Sequence, residues 1–118
     1  MNDKTGMDLI DDAKGRIKQV SASESVRNAD PDVVYLDCRE PNEYNLGHIP
    51  GAVFIPRGTL ETKVEAVIPR QKNVVIYCAS GNRSALAAET MQQMGYTDVA
   101  SMSGGFRGWV DEGGEVES

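Results

Sequence analysis

Two short apolar runs limit what this chain can fold into. Val33–Leu36 reads VVYL between polar segments, and Val74–Tyr77 repeats the pattern as VVIY. A continuous apolar run of this length is typical of a strand that is buried on both faces of a sheet. Residues 37–73 separate the two runs and leave room for the crossover connections that parallel strands need. The pattern therefore predicts an α/β fold with a mainly parallel sheet and helices on both faces.

The other elements follow from weaker signals. A helix is predicted over Met7–Lys14, which Gly15 interrupts, and another over the segment SASESVRNA, whose serines are suited to capping. A third helix follows VVIY, with Ala87 and Met91 on one apolar face and Gly95 as its C-terminal stop. RIKQVS predicts an edge strand, and AVFIP and DVASM predict two more.

Length and charge restrict the domain organisation and the partners. A chain of 118 residues suits one domain, which we divide into an N-terminal helical extension (1–17), a core (18–113) and a tail (114–118). The net charge of −6 argues against binding to nucleic acid or to an anionic membrane. The polar N-terminus predicts no signal peptide, and two cysteines predict no disulfide framework, so we expect a cytoplasmic protein. One histidine and no zinc-type cysteine spacing predict that no metal is bound.

The loop that follows VVIY carries the strongest functional signal. Its sequence is CASGNR, and Gly81 and Asn82 belong to the residue types that most readily accept positive φ. Such a loop directs successive backbone amides into one concavity, to which the next helix adds its N-terminal amides and its dipole. A cysteine at the mouth of this ring has a lowered pKa. The sequence therefore predicts Cys78 as a nucleophile, and the loop residues that bind its substrate are Ala79, Ser80, Gly81, Asn82 and Arg83.

The residues around the loop support this interpretation over simple core packing. Arg83 in the first turn of a helix opposes the helix dipole unless an anion lies between them, and its guanidinium can bind an incoming oxyanion. Ser84 is suited to cap the helix or to bond the sulfur. Asp37 also follows a buried strand, so it lies at the same edge of the sheet as Cys78. The alternative is that Cys78 is a packed core residue, since buried cysteines are common.

Three stretches in order resemble the rhodanese family of sulfurtransferases. Leu36–Pro56 is similar to the family's Asp-x-Arg-Glu and Gly-His-Ile-x-Gly-Ala segments. Cys78–Ser84, CASGNRS, is similar to its active-site loop, and Ser103–Trp109 is similar to its C-terminal Gly-Gly-x-x-x-Trp. The resemblance implies a single domain with a five-stranded parallel sheet.

The resemblance also implies a mechanism. Cys78 would take sulfane sulfur from a small anionic donor such as thiosulfate, hold it as a persulfide within the loop, and pass it to cyanide, a thiol or a protein. No cofactor is implied, and Asp37 would support the loop. Phosphatases and arsenate reductases on related folds have one more loop residue before the arginine, and they remain an alternative. A non-catalytic binding module is a third hypothesis.

Several neighbouring residues have two interpretations. Arg39 and Glu43 are interpreted as an ion pair that fixes their segment, or as a plain surface pair. Cys38 is either a resolving cysteine for Cys78 or a small packed side chain. We expect a structural role for His48, because a thiolate activated by the loop needs no base. Two glycines, Gly104 and Gly105, are predicted to let the backbone pass close to the loop.

Overall fold

The protein is an alternating α/β chain, and a computed structural model describes its residues 3–28 and 30–118. A short 3₁₀ turn at Arg57–Thr59 precedes the fourth helix. In chain order the helices and strands are α1 (Gly6–Arg16), β1 (Lys18–Ser21), α2 (Ala22–Arg27), β2 (Val34–Asp37), α3 (Pro41–Leu46), β3 (Val53–Phe54), α4 (Leu60–Val67), β4 (Val74–Tyr77), α5 (Asn82–Gln93), β5 (Val99–Ser103) and α6 (Gly105–Asp111).

All five strands form one parallel sheet in the order β1-β5-β4-β2-β3. The predicted fold class is therefore confirmed, and RIKQVS contributes the edge strand β1. The central strand is β4, which pairs with β2 on one side and with β5 on the other. The loop that follows β4 consequently lies between the carboxyl ends of two other strands, which is the usual position of a site in such sheets.

The side chains of β4 alternate between two apolar layers. Val74 and Ile76 pack in the layer that contains residues of α4 and α5. Val75 and Tyr77 pack in the layer that contains residues of α2 and α6. Burial on both faces explains why the strand sequence is continuously apolar instead of alternating. Cys78 continues the alternation and faces the layer of α5.

The first helix differs from its prediction. α1 runs through Gly15 to Arg16, so the expected interruption is wrong. Two contacts hold its last turn against α5: Lys14 Nζ donates to Asn82 Oδ1 at 3.0 Å, and Arg16 forms an ion pair with Glu89. These tertiary contacts outweigh the modest cost of a glycine near the end of a helix. Residues 1 and 2 of the predicted extension lie outside the described residues, as does Ala29 at the end of the predicted second helix.

The C-terminal segment is attached to the domain. Glu117 forms an antiparallel bridge with His48, in which each backbone N–H donates to the other carbonyl at 2.9 Å. The indole Nε1 of Trp109 donates to Glu115 O at 2.7 Å. The C-terminal residues thus contact both α6, through Trp109, and the segment that follows α3, through His48. Over the described residues, no helix is long and apolar enough to cross a membrane.

Candidate active site

The loop between β4 and α5 surrounds the sulfur of Cys78 with hydrogen-bond donors. The backbone N–H of Gly81 donates to Cys78 Sγ at 3.1 Å, and that of Ser84 donates at 3.4 Å. Gly81 has φ of +108°, a left-handed conformation that glycine adopts without the steric cost of a Cβ. This conformation turns the chain directly into α5, so the sulfur lies at the N-terminus of that helix.

A pair of buried hydroxyls extends this hydrogen-bond network. Ser84 Oγ lies 3.5 Å from Cys78 Sγ and 2.7 Å from Ser101 Oγ. Both serines are fully buried, so the three side chains form a short chain of hydrogen bonds in the interior. When Cys78 is a thiolate, Ser84 donates to the sulfur and Ser101 donates to Ser84. The sequence analysis did not predict a role for Ser101. The one feature that could have indicated it is a polar residue within the apolar strand β5.

These donors set the ionisation of Cys78. Burial raises the pKa of the thiol, but the Ser84 hydroxyl and the amides of Ser84, Gly81 and Ser80 outweigh it and leave the pKa below its ordinary value. Hydrogen bonds to the charged form stabilise the thiolate. The lowered pKa that the sequence predicts for Cys78 therefore agrees with the structure. One side-chain hydroxyl and three backbone amides together lower it.

The sulfur is more enclosed than the sequence predicts. Cys78 is 1% exposed, so it lies at the floor of the loop and not at its mouth. The reason is that Ser84 and Gly81 close directly around the thiol.

The N-terminus of α6 fastens the loop from outside. The N–H of Phe106 donates to Cys78 O at 2.8 Å, and the N–H of Arg107 donates to Ala79 O at 3.2 Å. A Cβ on Gly105 would lie 2.5 Å from Cys78 O and 2.6 Å from Ala79 C. The predicted close approach of the backbone to the loop is therefore confirmed at Gly105, whereas a Cβ on Gly104 would meet Gly108 and Ala22. Ala79 takes part in the site through its carbonyl.

Arg83 has a protein partner, which the sequence did not predict. Its Nη1 and Nη2 donate to the two carboxylate oxygens of Glu43 on α3, at 3.0 and 3.1 Å. The hydrogen bonds from Arg83 lower the pKa of Glu43 to about 2, and those from Glu43 raise the pKa of Arg83. The expected pair of Arg39 with Glu43 is therefore wrong.

Arg39 pairs instead with Asp37. Its Nη2 lies 2.8 Å from Asp37 Oδ2, both side chains are buried, and the Arg39 N–H also donates to Asp37 Oδ1. The guanidinium then donates to Gly47 O at 2.7 Å and lies over the Phe106 ring, 4.4 Å from its centroid. Asp37 thus acts on the loop indirectly: it holds Arg39 against Phe106, whose amide binds the loop.

Comparison with known protein families identifies the domain. The profile of the rhodanese-like domain matches residues 21–112, which is most of the chain. The chain belongs to the rhodanese-like domain family. The expectation drawn from its three motifs is confirmed.

Named relatives of this rhodanese cover most of its length. A sulfurtransferase of Allochromatium vinosum is 39% identical over 94 residues, which are 79% of this chain and 87% of the relative. The thiosulfate:glutathione sulfurtransferase of Saccharomyces cerevisiae is 34% identical in an alignment of 98 positions that covers 73% of this chain and 70% of the relative.

A solved structure extends the similarity to the whole rhodanese chain. A Rhodopseudomonas palustris protein of unknown function, described as a possible tyrosine phosphatase, matches with a TM-score of 0.87 and 35% identity. The match covers 99% of this chain and 97% of the other, so it includes α1, which precedes the residues of the family match.

The remaining predicted residues of this rhodanese have other contacts. Asn82 accepts from Lys14 through its side chain, and Ser80 is an exposed loop residue. Cys38 is fully buried, its thiol donates to Tyr77 O at 3.4 Å, and burial raises its pKa. These contacts support the packing interpretation of Cys38. No three His, Cys, Asp or Glu side chains form a metal-binding group within residues 3–28 and 30–118.

His48 also has the contacts of a structural residue in this rhodanese. Its ring stacks on Tyr44 with 3.8 Å between centroids, and its Nδ1 lies 3.0 Å from Tyr44 O. Its Nε2 lies 3.4 Å from the carboxylate of Glu117. The contacts of both ring nitrogens thus connect α3 with the C-terminal segment.

We predict that Ser84→Ala raises the pKa of Cys78, because the hydroxyl that donates to the thiolate is lost. The pH dependence of alkylation by iodoacetamide, followed by intact mass, measures this pKa. Ser80→Ala is the matched control: it keeps the contributing amide and removes an exposed hydroxyl. An equal shift in both variants, or none in Ser84→Ala, would contradict the role of the hydroxyl.

Proposed function

We propose that this rhodanese is a sulfurtransferase that carries sulfane sulfur as a persulfide on Cys78. The observation on which this depends is the ring of donors around Cys78 Sγ, formed by the amides of Gly81 and Ser84 and by the Ser84 hydroxyl. The names of the Allochromatium and yeast relatives support sulfur transfer in general. The identity of the donor and of the acceptor is the finer part of the proposal.

In the first step the Cys78 thiolate attacks the outer sulfur of a donor such as thiosulfate. The bond between that sulfur and the sulfonate sulfur breaks, and sulfite leaves with the electron pair. The product is Cys78–S–S⁻, whose charge resides on the added sulfur. Amides already directed into the loop stabilise this charge without reorganisation, which is electrostatic preorganisation. The positive end of α5 acts in the same direction.

In the second step a nucleophilic acceptor attacks the outer sulfur of the persulfide. The sulfur–sulfur bond breaks, the acceptor gains the sulfur, and the Cys78 thiolate is regenerated within its ring. Cyanide is the assay acceptor, and a low-molecular-weight or protein thiol is the acceptor that we propose in the cell. The yeast relative is named for glutathione, which makes that thiol the first to test. Two separate half-reactions give ping-pong kinetics.

A phosphatase activity is the competing hypothesis. The neighbour from Rhodopseudomonas palustris that is described as a possible tyrosine phosphatase is the observation in its favour. Two features favour sulfur: only four residues separate Cys78 from Arg83, and the Arg83 guanidinium already binds Glu43. We expect no hydrolysis of a generic aryl phosphate under conditions in which sulfur transfer is measurable.

The deciding experiment is an intact mass measurement after incubation with thiosulfate. We expect the gain of one sulfur atom, reversed by cyanide with release of thiocyanate. A protein that binds thiosulfate but gains no mass would support the non-catalytic hypothesis and contradict ours. Cytoplasmic location is also proposed, because the two unpaired cysteines suit a reducing compartment.

A further inference from the structure

The ion pair between Arg83 and Glu43 spans two elements that the sheet brings together. Arg83 belongs to the first turn of α5, and Glu43 to the first turn of α3, which follows β2. Glu43 is itself fixed, because its Oε2 accepts from the Glu40 N–H at 2.9 Å. Both side chains are partly exposed, at 37% for Arg83 and 29% for Glu43, so a donor that approaches the loop meets the pair and not a free guanidinium.

One other arginine near the loop is also neutralised by a carboxylate. Arg39, whose guanidinium lies over the Phe106 ring, is paired with Asp37. Arg107 is exposed at the N-terminus of α6, and Lys14 donates to Asn82 Oδ1, so both supply positive charge to the loop. The local charge therefore depends strongly on whether the carboxylate of Glu43 remains beside Arg83.

We propose that Glu43 is a specificity-determining residue, which neutralises Arg83 and so favours sulfur donors with one negative charge over the thiosulfate dianion. The inference rests on the proposed function, since it concerns the donor of the same reaction. Its substrate class is the monoanionic sulfane donors, namely persulfides and thiosulfonates. The hydrogen bonds that retain the sulfur are unchanged by Glu43; what Glu43 changes is the electrostatic cost of bringing a second negative charge to the loop.

The size of the effect follows from Coulomb's law. The interaction of a donor with the Glu43 carboxylate is proportional to the charge of the donor. If removal of the carboxylate charge improves a monoanion about fivefold, it improves a dianion about twenty-fivefold. The ratio of the two rate enhancements isolates the charge effect, because any change in the nucleophilicity of Cys78 is common to both donors.

The test compares Glu43→Gln with wild type on thiosulfate and on methanethiosulfonate. Both donors transfer their outer sulfur to Cys78, with sulfite leaving from the first and methanesulfinate from the second. Glutamine retains an oxygen that can accept from the Glu40 N–H, which preserves the start of α3. The expected result is that kcat/KM for thiosulfate, relative to methanethiosulfonate, rises about fivefold. Glu40→Gln is the control, because it removes the same charge from the N-cap of α3 and leaves the partner of Arg83 in place, so its ratio should change much less than that of Glu43→Gln.

A second measurement does not depend on sulfur transfer. Iodoacetate and iodoacetamide both alkylate a thiolate with loss of iodide, and they differ by one negative charge. The rate at Cys78 with iodoacetate, relative to iodoacetamide, should rise about fivefold in Glu43→Gln, as followed by intact mass. Thermal unfolding establishes that the variant is folded; if it is not, Glu43→Ala takes its place in both measurements, with the same expected ratio.

The outcomes separate the two proposals. If neither sulfur donor adds mass to wild type, the proposed function fails, and the alkylation ratio still decides the role of Glu43. If both donors load Cys78 and Glu43→Gln slows them by the same factor, Glu43 only positions Arg83, and the specificity proposal is overturned. An unchanged ratio in both measurements overturns it as well.

Discussion

Cys78→Ser is expected to abolish sulfur loading and to reduce sulfurtransferase activity by at least about a thousandfold. A serine hydroxyl in the same position is un-ionised at neutral pH, so it lacks the anionic nucleophile that the ring of amides stabilises. The change is nearly isosteric, and the fold should persist because the loop is held independently by α6 through Phe106 and Arg107. Intact mass after thiosulfate treatment and thiocyanate formation with cyanide are the two measurements.

The matched control for this substitution is Cys38→Ala. Cys38 is the other cysteine of the chain and is fully buried one position beyond β2. We expect this variant to gain one sulfur atom and to retain activity within about a factor of three of wild type. If Cys38→Ala lost transfer while Cys78→Ser retained it, the assignment of the nucleophile would be wrong. If both variants lost it, Cys38 would have a part in the reaction.

Gly105→Ala is expected to destabilise the protein by about 3 kcal/mol or more and to leave little sulfur transfer. Gly105 has φ of +58°, and a methyl group there would overlap the carbonyl of Cys78 and the peptide of Ala79. These atoms are backbone, so the clash can be relieved only by moving the loop or α6. Either movement breaks the hydrogen bond from Phe106 to Cys78 O and displaces the donors around the sulfur.

The control for Gly105→Ala is Gly113→Ala. Gly113 follows α6, has φ of +82°, and has open space where a Cβ would lie, so the variant carries the conformational strain without the collision. Urea unfolding should give a loss of about 1 kcal/mol for Gly113→Ala, and its activity should remain. Equal losses of stability and activity in the two variants would mean that backbone strain, and not contact with the loop, explains the effect.

The sheet and the loop were predictable because they depend on local patterns. A strand buried on both faces must be apolar throughout, so β2 and β4 are visible in the sequence. A loop that binds an anion with its amides needs small residues and positive φ, so Gly81 and its neighbours are also visible. The position of Cys78 directly after β4 then placed the sulfur at the carboxyl edge of the sheet.

The ion pairs were not predictable from spacing. Arg39 and Glu43 are four residues apart, which suggests a contact on a helix, but Arg39 lies before α3 and its backbone turns back to Asp37. Glu43 is therefore free to reach Arg83, which is forty positions further along the chain. The choice of partner is decided by the register of β2 beside β4, and no local pattern contains that information.

Contacts between distant segments account for the other differences. Ser101 reaches Ser84 only because β5 lies beside β4 in the sheet. Glu117 reaches His48 because the chain after α6 returns to the segment after α3. In the same way, α1 continues through Gly15 because α5 offers partners for the residues on either side of it. Each of these depends on tertiary packing, which overrides local propensity.

The order of the strands has a consequence for biosynthesis. β1 lies at the edge of the sheet and pairs only with β5. It therefore cannot join the sheet until β5 has been synthesised. Ser101 and the α6 amides that complete the surroundings of Cys78 belong to the same late part of the chain. A nascent polypeptide thus displays an ordinary thiol, and the surroundings of Cys78 are complete only after β5 and α6 have been synthesised.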